Sequence, residues 1–567
     1  MTAHVRPVPI EALAMANAWF AALGKPFRGS LEPEDPLIAG SGTGWLVSTL
    51  GRELAVVVDP AFPFTRPNVY LRGVRAAMPH VERNGRLCLR NPEVPSDPAM
   101  AMASALSEAR DLLRAIDDGA EDGDFQEDFG LYCLQQAAPG PPARLLLPER
   151  VRETRTIAWV ATNAAYYGFA STTDLRRWWQ HRFSAWPTKV RQGGLIALER
   201  LPEPNDYPND GEDLWSLVQA WSPSGATLLA HLLRQTPKSL LVVLAGTAPS
   251  GRRHAFASLV SRPQNALGKS ANRRVIEHGH KRGKTPASLL CERYIVTRLV
   301  TEALDAAGSR LPYAERDRLT NARVGVIGCG ALGSGVARLL AKSGIGHLVL
   351  VDPEELTWEN IRRHQLGAGA VGMNKADVMA QAIPHQNPDI GSTKAYGSSV
   401  EALLTKAPAA LDGLDLVVAC TATWSANSFL DAFSARAAIP ILYAWMERHA
   451  VAAHAVLIMP GHSFASGYDP AGNPKLVASA SDKPIPAECG GLTSPFGAIE
   501  LAQAEALTGR LALDFVRGKA AQTTWRTWLT DDAALAEAEG RWTPEWIAAR
   551  GKPSADGGTT SGPWWTQ

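Results

Sequence analysis

The stretch ARVGVIGCGALGSGVARLLAKSGIGHLVLVDPEEL, residues 322–356, decides the fold of its part of the chain. Val324 to Ile327 reads as a buried strand, and Gly328-Cys329-Gly330-Ala331-Leu332-Gly333 as a GxGxxG turn. Val336 to Ala341 reads as helix, and His347 to Val351 as a second strand that ends in Asp352. The glycines permit a tight turn and let phosphates approach backbone N–H groups at a helix N-terminus. Asp352 follows Gly333 by nineteen residues, where an acidic residue can bind ribose hydroxyls. Strand, glycine turn, helix and strand in that order predict a Rossmann-like nucleotide site held by Gly328, Gly330, Gly333 and Asp352. Cys329 reads as a small residue packed in the turn.

The segment that follows, TWENIRRHQLGAGAVGMNKADVMAQAIPHQNP, separates two kinds of nucleotide chemistry. A dehydrogenase has no need of Asn360, Arg363 and Lys375 behind its ribose acid. An adenylating enzyme does, because a carboxylate attacks the α-phosphate of ATP and negative charge builds there. Arg and Lys stabilise that charge, and magnesium holds the leaving pyrophosphate. Each of these residues taken singly reads equally well as a helix-surface residue; the three in this order favour adenylation.

These residues carry a resemblance. Residues 323–388 resemble the adenylation domain of ubiquitin-activating enzymes and of their bacterial relatives, the ThiF/MoeB family. The matching pieces are GCGALGSG, Asp352, the N-x-x-R of Asn360 to Arg363, and Lys375. The resemblance implies that Asp352 binds ribose, that Arg363 and Lys375 bind phosphates, and that Asn360 helps hold ATP. The variant NIRRHQLG is more similar to bacterial fusion members than to sulfur-transfer enzymes. Two departures stand out. The family places a magnesium-binding Asp after the next strand, whereas DLVVACTATWS offers Ala422 and Thr423. The metal ligand is therefore unassigned, with Thr423 or a carboxylate from elsewhere as the alternatives. The family's CxxC zinc pairs are also missing, so no structural zinc is expected.

Composition bounds the rest. A chain of 567 residues predicts three or four domains of roughly 150 residues each. A net charge of +1 gives no broad field toward nucleic acid or anionic membrane. No apolar run approaches the ~20 residues needed to span a bilayer, and the N-terminus lacks a signal peptide's continuous apolar core. Six scattered cysteines, Cys88, Cys133, Cys291, Cys329, Cys420 and Cys489, suit a reduced, cytoplasmic protein whose cysteines are core or catalytic.

Residues 1–150 read as a small α/β domain, with a helix from Ile10, short strands at 43–50, 53–59 and 68–73, and a helical period over 101–117. The acidic run DDGAEDGDFQED that closes it reads as a solvated face. Residues 151–286 read as an α/β linker domain without a catalytic constellation, in which the Trp-rich WWQHRFSAW is a core candidate. The basic stretch at 269–286 reads as a linker or exposed face. Residues 287–550 form the adenylation domain, and 551–567, rich in Gly, Ser and Pro, read as a disordered tail.

Two cysteines remain. Cys489 lies in PIPAECGGLTSPFG, a Pro- and Gly-flanked loop before a helix. In activating enzymes a cysteine placed after the adenylation core takes the acyl group as a thioester, and the resemblance assigns that role to Cys489. Residues 1–150 resemble a ubiquitin-conjugating-enzyme domain. PHVERNGRLCL matches the signature around its cysteine, with Asn84-Gly85 and Leu87-Cys88-Leu89 in register, so Cys88 is the second carrier. That family has His-Pro-Asn before the turn; here the triplet is Met78-Pro79-His80. His80 falls where the oxyanion-supporting Asn is expected, as a donor or as a base for an incoming amine.

The order resembles the bacterial fusion enzymes of type II CBASS antiphage operons. The resemblance implies an α/β multidomain chain, ATP and Mg2+, a homodimer, and a relay from Cys489 to Cys88. A target lysine then takes the acyl group by its amine. It also implies that the carried protein is a cGAS/DncV-like nucleotidyltransferase joined through its free C-terminus; the net charge of +1 and the lack of a long apolar run add the expectation of no nucleic-acid or membrane partner. The alternatives are a ubiquitin-like cargo, sulfur-carrier activation, a nicotinamide-dependent oxidoreductase, and a scaffold without activity.

Overall fold

The computed structural model describes residues 8–38, 42–75, 77–90, 97–135, 137–147, 153–187, 189–235, 237–263, 286–303, 312–421, 423–468, 485–486, 492–493 and 496–564. The chain folds as two compact units. One is built from Met1–Leu145, Val151–Arg177 and Trp186–Ala306; the other takes Ala307–Gln567 with the short segments Leu146–Arg150 and Trp178–Ala185.

The first unit opens with an antiparallel sheet ordered β1 (Phe27–Ser30), β2 (Thr43–Thr49), β3 (Arg52–Val58) and β4 (Asn68–Leu71). The β-branched run Val56-Val57-Val58 makes β3 a central strand, buried from Leu54 to Val58. Two helices, Ile10–Ala22 and Pro98–Asp117, close one face. The second starts where it does because Asp97 accepts the Met100 N–H and Pro98 occupies the first turn. Phe20 of the first helix stacks on Trp45 of β2, with centroids 4.7 Å apart.

A second sheet of eight strands follows in the same unit. Its order is β11 (Ile295–Leu299), β10 (Arg253–Ser261), β9 (Ser239–Thr247), β8 (Arg191–Ala197), β6 (Arg155–Ala161), β7 (Tyr166–Phe169), β5 (Ala143–Leu146) and β12 (Thr301–Ala303). This corrects the expected boundaries at 150 and 286. The helix Phe129–Gln135 buries Phe129, Tyr132 and Cys133 in this second core, and β11 and β12 complete its sheet. The Trp-rich stretch is not core at its end, since Trp186 is 60% exposed. Most of the basic stretch 269–286 lies outside the described residues.

In the second unit the sheet runs β15 (Ser392–Tyr396), β14 (His347–Val351), β13 (Arg323–Ile327), β16 (Leu416–Ala419), β17 (Ile441–Met446), β18 (Ala452–Ile458), β21 (Thr524–Leu529) and β22 (Gly558–Pro563). A small hairpin pairs β19 (Ile485–Pro486) with β20 (Leu492–Thr493). β15 to β17 are parallel, in the order of a Rossmann half-fold that reverses between β13 and β16. Alternation along each strand feeds two cores: Val324, Val326, Leu416 and Val418 on one face, Ile327, Val351, Val417 and Ala419 on the other.

The C-terminal segment is not a disordered tail. β22 adds an antiparallel edge to β21, and Trp564 is 3% exposed, its Nε1–H donating to the Ser463 carbonyl at 3.2 Å. A Cβ on Gly467 would come within 2.0 Å of that indole. Composition pointed to disorder, but one buried tryptophan and a paired strand outweigh it.

Candidate active sites

The phosphate loop is built where β13 meets the helix Ala331–Lys342, at the reversal point of the sheet. Gly328 turns the chain at φ +85°, and a Cβ on Gly333 would lie 1.8 Å from the Gly328 carbonyl. Both glycines are therefore required by the backbone itself. Gly330 is different: a Cβ there meets nothing within 4 Å. No side chain caps this helix, so its first N–H groups have no side-chain acceptor.

Asp352 is 4% exposed, and its oxygens accept the N–H groups of Cys329 at 2.6 Å and Glu354 at 2.8 Å. Burial holds its carboxyl above the usual range, against those N–H bonds and the nearby Lys375 ammonium. Each oxygen keeps a lone pair for a sugar hydroxyl. Lys375, also 4% exposed, ion-pairs Glu354 at 2.5 Å. Asn374 ties this corner to the strand, donating to the Asp352 carbonyl at 2.9 Å.

His364 was not singled out from sequence, yet it holds the loop from below. It is 8% exposed, with Nε2 2.7 Å from the Cys329 carbonyl and Nδ1 3.0 Å from the Leu366 N–H. A backbone N–H can only donate, so Nδ1 accepts and the proton sits on Nε2. Burial lowers the pKa of this imidazole. Arg363, its neighbour, is half-buried with its guanidinium 5.0 Å from the Phe496 ring centroid. Asn360 shapes the turn: its Oδ1 accepts the Thr357 N–H at 3.2 Å and its carbonyl accepts the Arg363 N–H at 2.9 Å.

The last glycine of GCGALGSG has another cause. A Cβ on Gly335 would come within 1.9 Å of the Glu505 carboxyl, carried by the helix Ala498–Val516. Glu505 is 5% exposed, its pKa raised by burial, and accepts from Gln365 Nε2 at 3.4 Å. One buried carboxyl thus joins the phosphate-loop helix, the RRHQ turn and the helix that follows Cys489 in the chain.

These residues fit a nucleotide: open space over Gly330, uncapped N–H groups, an acid with spare lone pairs, and two cations. The described residues hold no group of three or more His, Cys, Asp or Glu suited to a metal. After β16, Thr421 Oγ1 lies 3.1 Å from Asn427 Oδ1, Ala422 lies outside the described residues, and Thr423 precedes the helix Trp424–Ala437.

The second site surrounds Cys88, which is half-buried and free. Its turn is a hydrogen-bonded ladder: Cys88 N–H to His80 carbonyl at 2.8 Å, and Glu82 N–H to Arg86 carbonyl at 2.8 Å. Asn84 is part of the scaffold, its Oδ1 accepting the Arg86 N–H at 3.0 Å. Gly85 sits at φ +90° with its Cα against the Leu71 carbonyl, where a Cβ would come within 2.3 Å.

The acidic run is not merely solvated. Glu121 and Asp124 are 14% and 12% exposed at their side chains, and they lie 3.1 and 3.3 Å from His80 Nε2. Arg90 bonds both Glu121 and His80. The Tyr132 hydroxyl accepts the His80 N–H at 2.7 Å and donates to Asp124. His80 thus occupies φ +55°, its backbone locked by Tyr132 and its ring by two carboxylates. Desolvation, then Glu82, raises the Cys88 thiol pKa, with Arg86 opposing. Polar runs with no hydrophobic period offer no sign that they fold over a turn far back in sequence, so this wall was illegible.

The structure therefore joins Gly328, Gly330, Gly333, Asp352 and Lys375 in one site, with Asn360 and Arg363 on the turn anchored by His364. It joins Cys88, His80 and Asn84 in another. Cys489 lies outside the described residues, between the paired strands β19 and β20 in sequence. Three other described cysteines are excluded by their environment in the cores: burial pushes Cys133 and Cys420 up to about 12 and Cys329 well above its usual value.

Comparison with known proteins agrees with this division. Residues 304–486 match the ThiF family and residues 15–138 match prokaryotic E2 family B. A protein of Pseudomonas aeruginosa (strain BWHPSA011 / Pa011), the ATP-dependent ubiquitin transferase-like protein Cap2, is 24% identical over 511 residues. The match covers 82% of this chain and 85% of that protein. Ubiquitin-like modifier-activating enzyme 5 of Oryza sativa subsp. japonica is 27% identical over 181 residues, 30% of this chain and 41% of that protein. Its counterpart in Culex quinquefasciatus is 24% identical over 220 residues, 36% of this chain and 53% of that protein. The chain thus spans about two fifths to half of these relatives' length. The crystal structure of E. coli MccB with ATP aligns over 40% of this chain and 65% of that one, at 21% identity and a TM-score of 0.31.

Proposed function

On a chain that joins an N-terminal prokaryotic E2 family B domain to a ThiF-family adenylation domain, we propose ATP-dependent conjugation of a protein through its C-terminus. The observation that carries this reading is the pairing, in one chain, of an adenylation-type phosphate loop with a cysteine on a conjugating-enzyme turn. ATP, when bound, supplies the α-phosphate that activates a C-terminal carboxylate as a mixed anhydride, with pyrophosphate leaving.

The chain's own residues do the rest. Asp352 holds the ribose hydroxyls, and the N–H groups behind Gly330 face the phosphates. Lys375 exchanges Glu354 for a phosphate oxygen, and Arg363 balances the charge that builds on the α-phosphate. The Cys489 thiolate then attacks the anhydride carbonyl, forming a thioester and releasing AMP. Cys88 attacks that thioester, takes the acyl group and returns the Cys489 thiol. Finally a lysine amine of the target attacks at Cys88, forming an amide and freeing the thiol. Glu121 and Asp124 draw the ammonium in, and His80 is positioned between them as donor or base.

The cargo we assign is a cGAS/DncV-like nucleotidyltransferase, in antiviral defence, by a homodimeric cytoplasmic enzyme. The fused domain order and the NIRRHQLG turn support that assignment, as does similarity over most of the chain to a ubiquitin transferase-like protein. Within the described residues no helix is long and apolar enough to cross a membrane. A ubiquitin-like cargo is the second reading, favoured by the modifier-activating relatives. Cargo-stimulated ATP–pyrophosphate exchange tests adenylation directly. Exchange with neither cargo, together with nicotinamide binding, would replace both readings by an oxidoreductase.

A further inference from the structure

A cleft of about 460 Å³ opens beside the Cys88 turn, inside the first unit. One wall is the turn itself, with Arg75, Glu82 and Arg83; the other is Tyr132 and Gln135 of the helix Phe129–Gln135, with Arg298 of β11. Its size is that of a site for a small ligand or a short peptide. Arg83 N–H donates to Gln135 Oε1 at 2.9 Å, which fastens the two walls, and Arg298 donates to Asn209 Oδ1 at 3.0 Å behind the second wall. Three arginines and one glutamate are among the lining residues, in a chain whose total charge is only +1.

The cleft is wired to the reacting cysteine. Tyr132, which lines it, binds the His80 N–H, and the His80 carbonyl accepts the Cys88 N–H at 2.8 Å. Glu82, also lining it, is among the charges that act on the Cys88 thiol. Two carboxylates, Glu121 and Asp124, gather with Arg90 around His80, while arginines line the cleft. A lysine approaches favourably only past the carboxylates. Arginines repel it and suit an anionic chain.

Resting on the conjugation reading above, we propose that this cleft binds the segment just upstream of the carried protein's C-terminus, and that it selects acidic tails. With the C-terminal carbonyl bonded to Cys88 Sγ, the residues before it must leave the site, and the cleft that adjoins the Cys88 turn, lined by arginines, favours an acidic segment there. Arg75 and Arg83 are exposed, so their replacement spares both cores.

The test uses the full chain and short fluorescein-labelled, C-terminally amidated peptides, acidic or neutral, read by anisotropy without ATP. The expected result is acidic-peptide affinity about tenfold above neutral, weakened by salt, and lost about tenfold in Arg75→Glu/Arg83→Glu with Arg75→Gln/Arg83→Gln between. Equal affinity for both peptides, or no change in the glutamate variant, overturns the proposal. Because no acyl transfer is read, failure of the relay would leave this result intact. A second arm separates tail from target. A cargo whose acidic tail is replaced by a basic one should restore loading of Cys88 in the Arg75→Glu/Arg83→Glu variant. If that variant loads acidic cargo normally and loses only transfer to a protein target, the cleft belongs to the target and the proposal falls.

Discussion

Gly330 and Gly333 share one loop but are glycine for different reasons. Gly333→Ala drives a methyl into the Gly328 carbonyl and should cost several kcal/mol of stability, about 3 or more. Gly330→Ala meets no protein atom and should melt like the wild type while losing nucleotide affinity, read by thermal shift and ATP–pyrophosphate exchange. Unchanged ATP affinity in Gly330→Ala would remove the phosphates from that side of the loop. At Cys88, burial and Glu82 raise the thiol pKa, so thiolate is scarce at neutral pH. Acyl transfer to Cys88 should keep rising with pH through the ordinary thiol value of about 8.5, in single-turnover chase, instead of levelling there. Tyr132→Phe leaves the His80 N–H without its acceptor and should slow amide formation about tenfold, a cost of about 1.4 kcal/mol. The residues of both motifs were legible because the chemistry needs those types at those spacings. His364 and Tyr132 were not, since each acts through a backbone group that only folding brings near.

Elements explain what patterns missed. The helix Phe129–Gln135 follows an acidic run and looks peripheral, yet it packs Phe129 against Phe256 and His254, 5.2 and 5.8 Å between centroids. His254 is 3% exposed, and burial, then Arg252, lowers its pKa from 6.5 to about 4. The unfolded imidazole is protonated first as pH falls. Stability is thus fully present above 6.5 and declines toward 4, by on the order of 3 kcal/mol. His254→Phe should flatten that decline in denaturant titrations of the first unit's unfolding, at a cost at pH 7 of about 1 kcal/mol or more for the bond the imidazole makes to the Glu127 backbone. The parallel strands β13, β14 and β16 were legible as short apolar runs between turn signals, whereas β15, Ser392–Tyr396, carries no apolar run. β11, β12 and β22 were not. Their alternation is weak, and each takes its place only by completing the edge region of a sheet built elsewhere in the chain.

At the scale of the molecule, the two ends were readable because each carries a motif with its own chemistry, while the middle sheet carries none. Its boundaries follow from strand pairing and not from composition, which is why they moved. The account rests on transfer between two sites in one chain. Its most direct test is intact-mass analysis without reductant, after incubation with Mg-ATP, cargo and target, of wild type, Cys88→Ala and Cys489→Ala. The account predicts a thiol-sensitive adduct and an amide product with wild type, an adduct without product for Cys88→Ala, and neither for Cys489→Ala. Amide product at the wild-type rate from Cys88→Ala, or normal loading of Cys88 in Cys489→Ala, would contradict the relay.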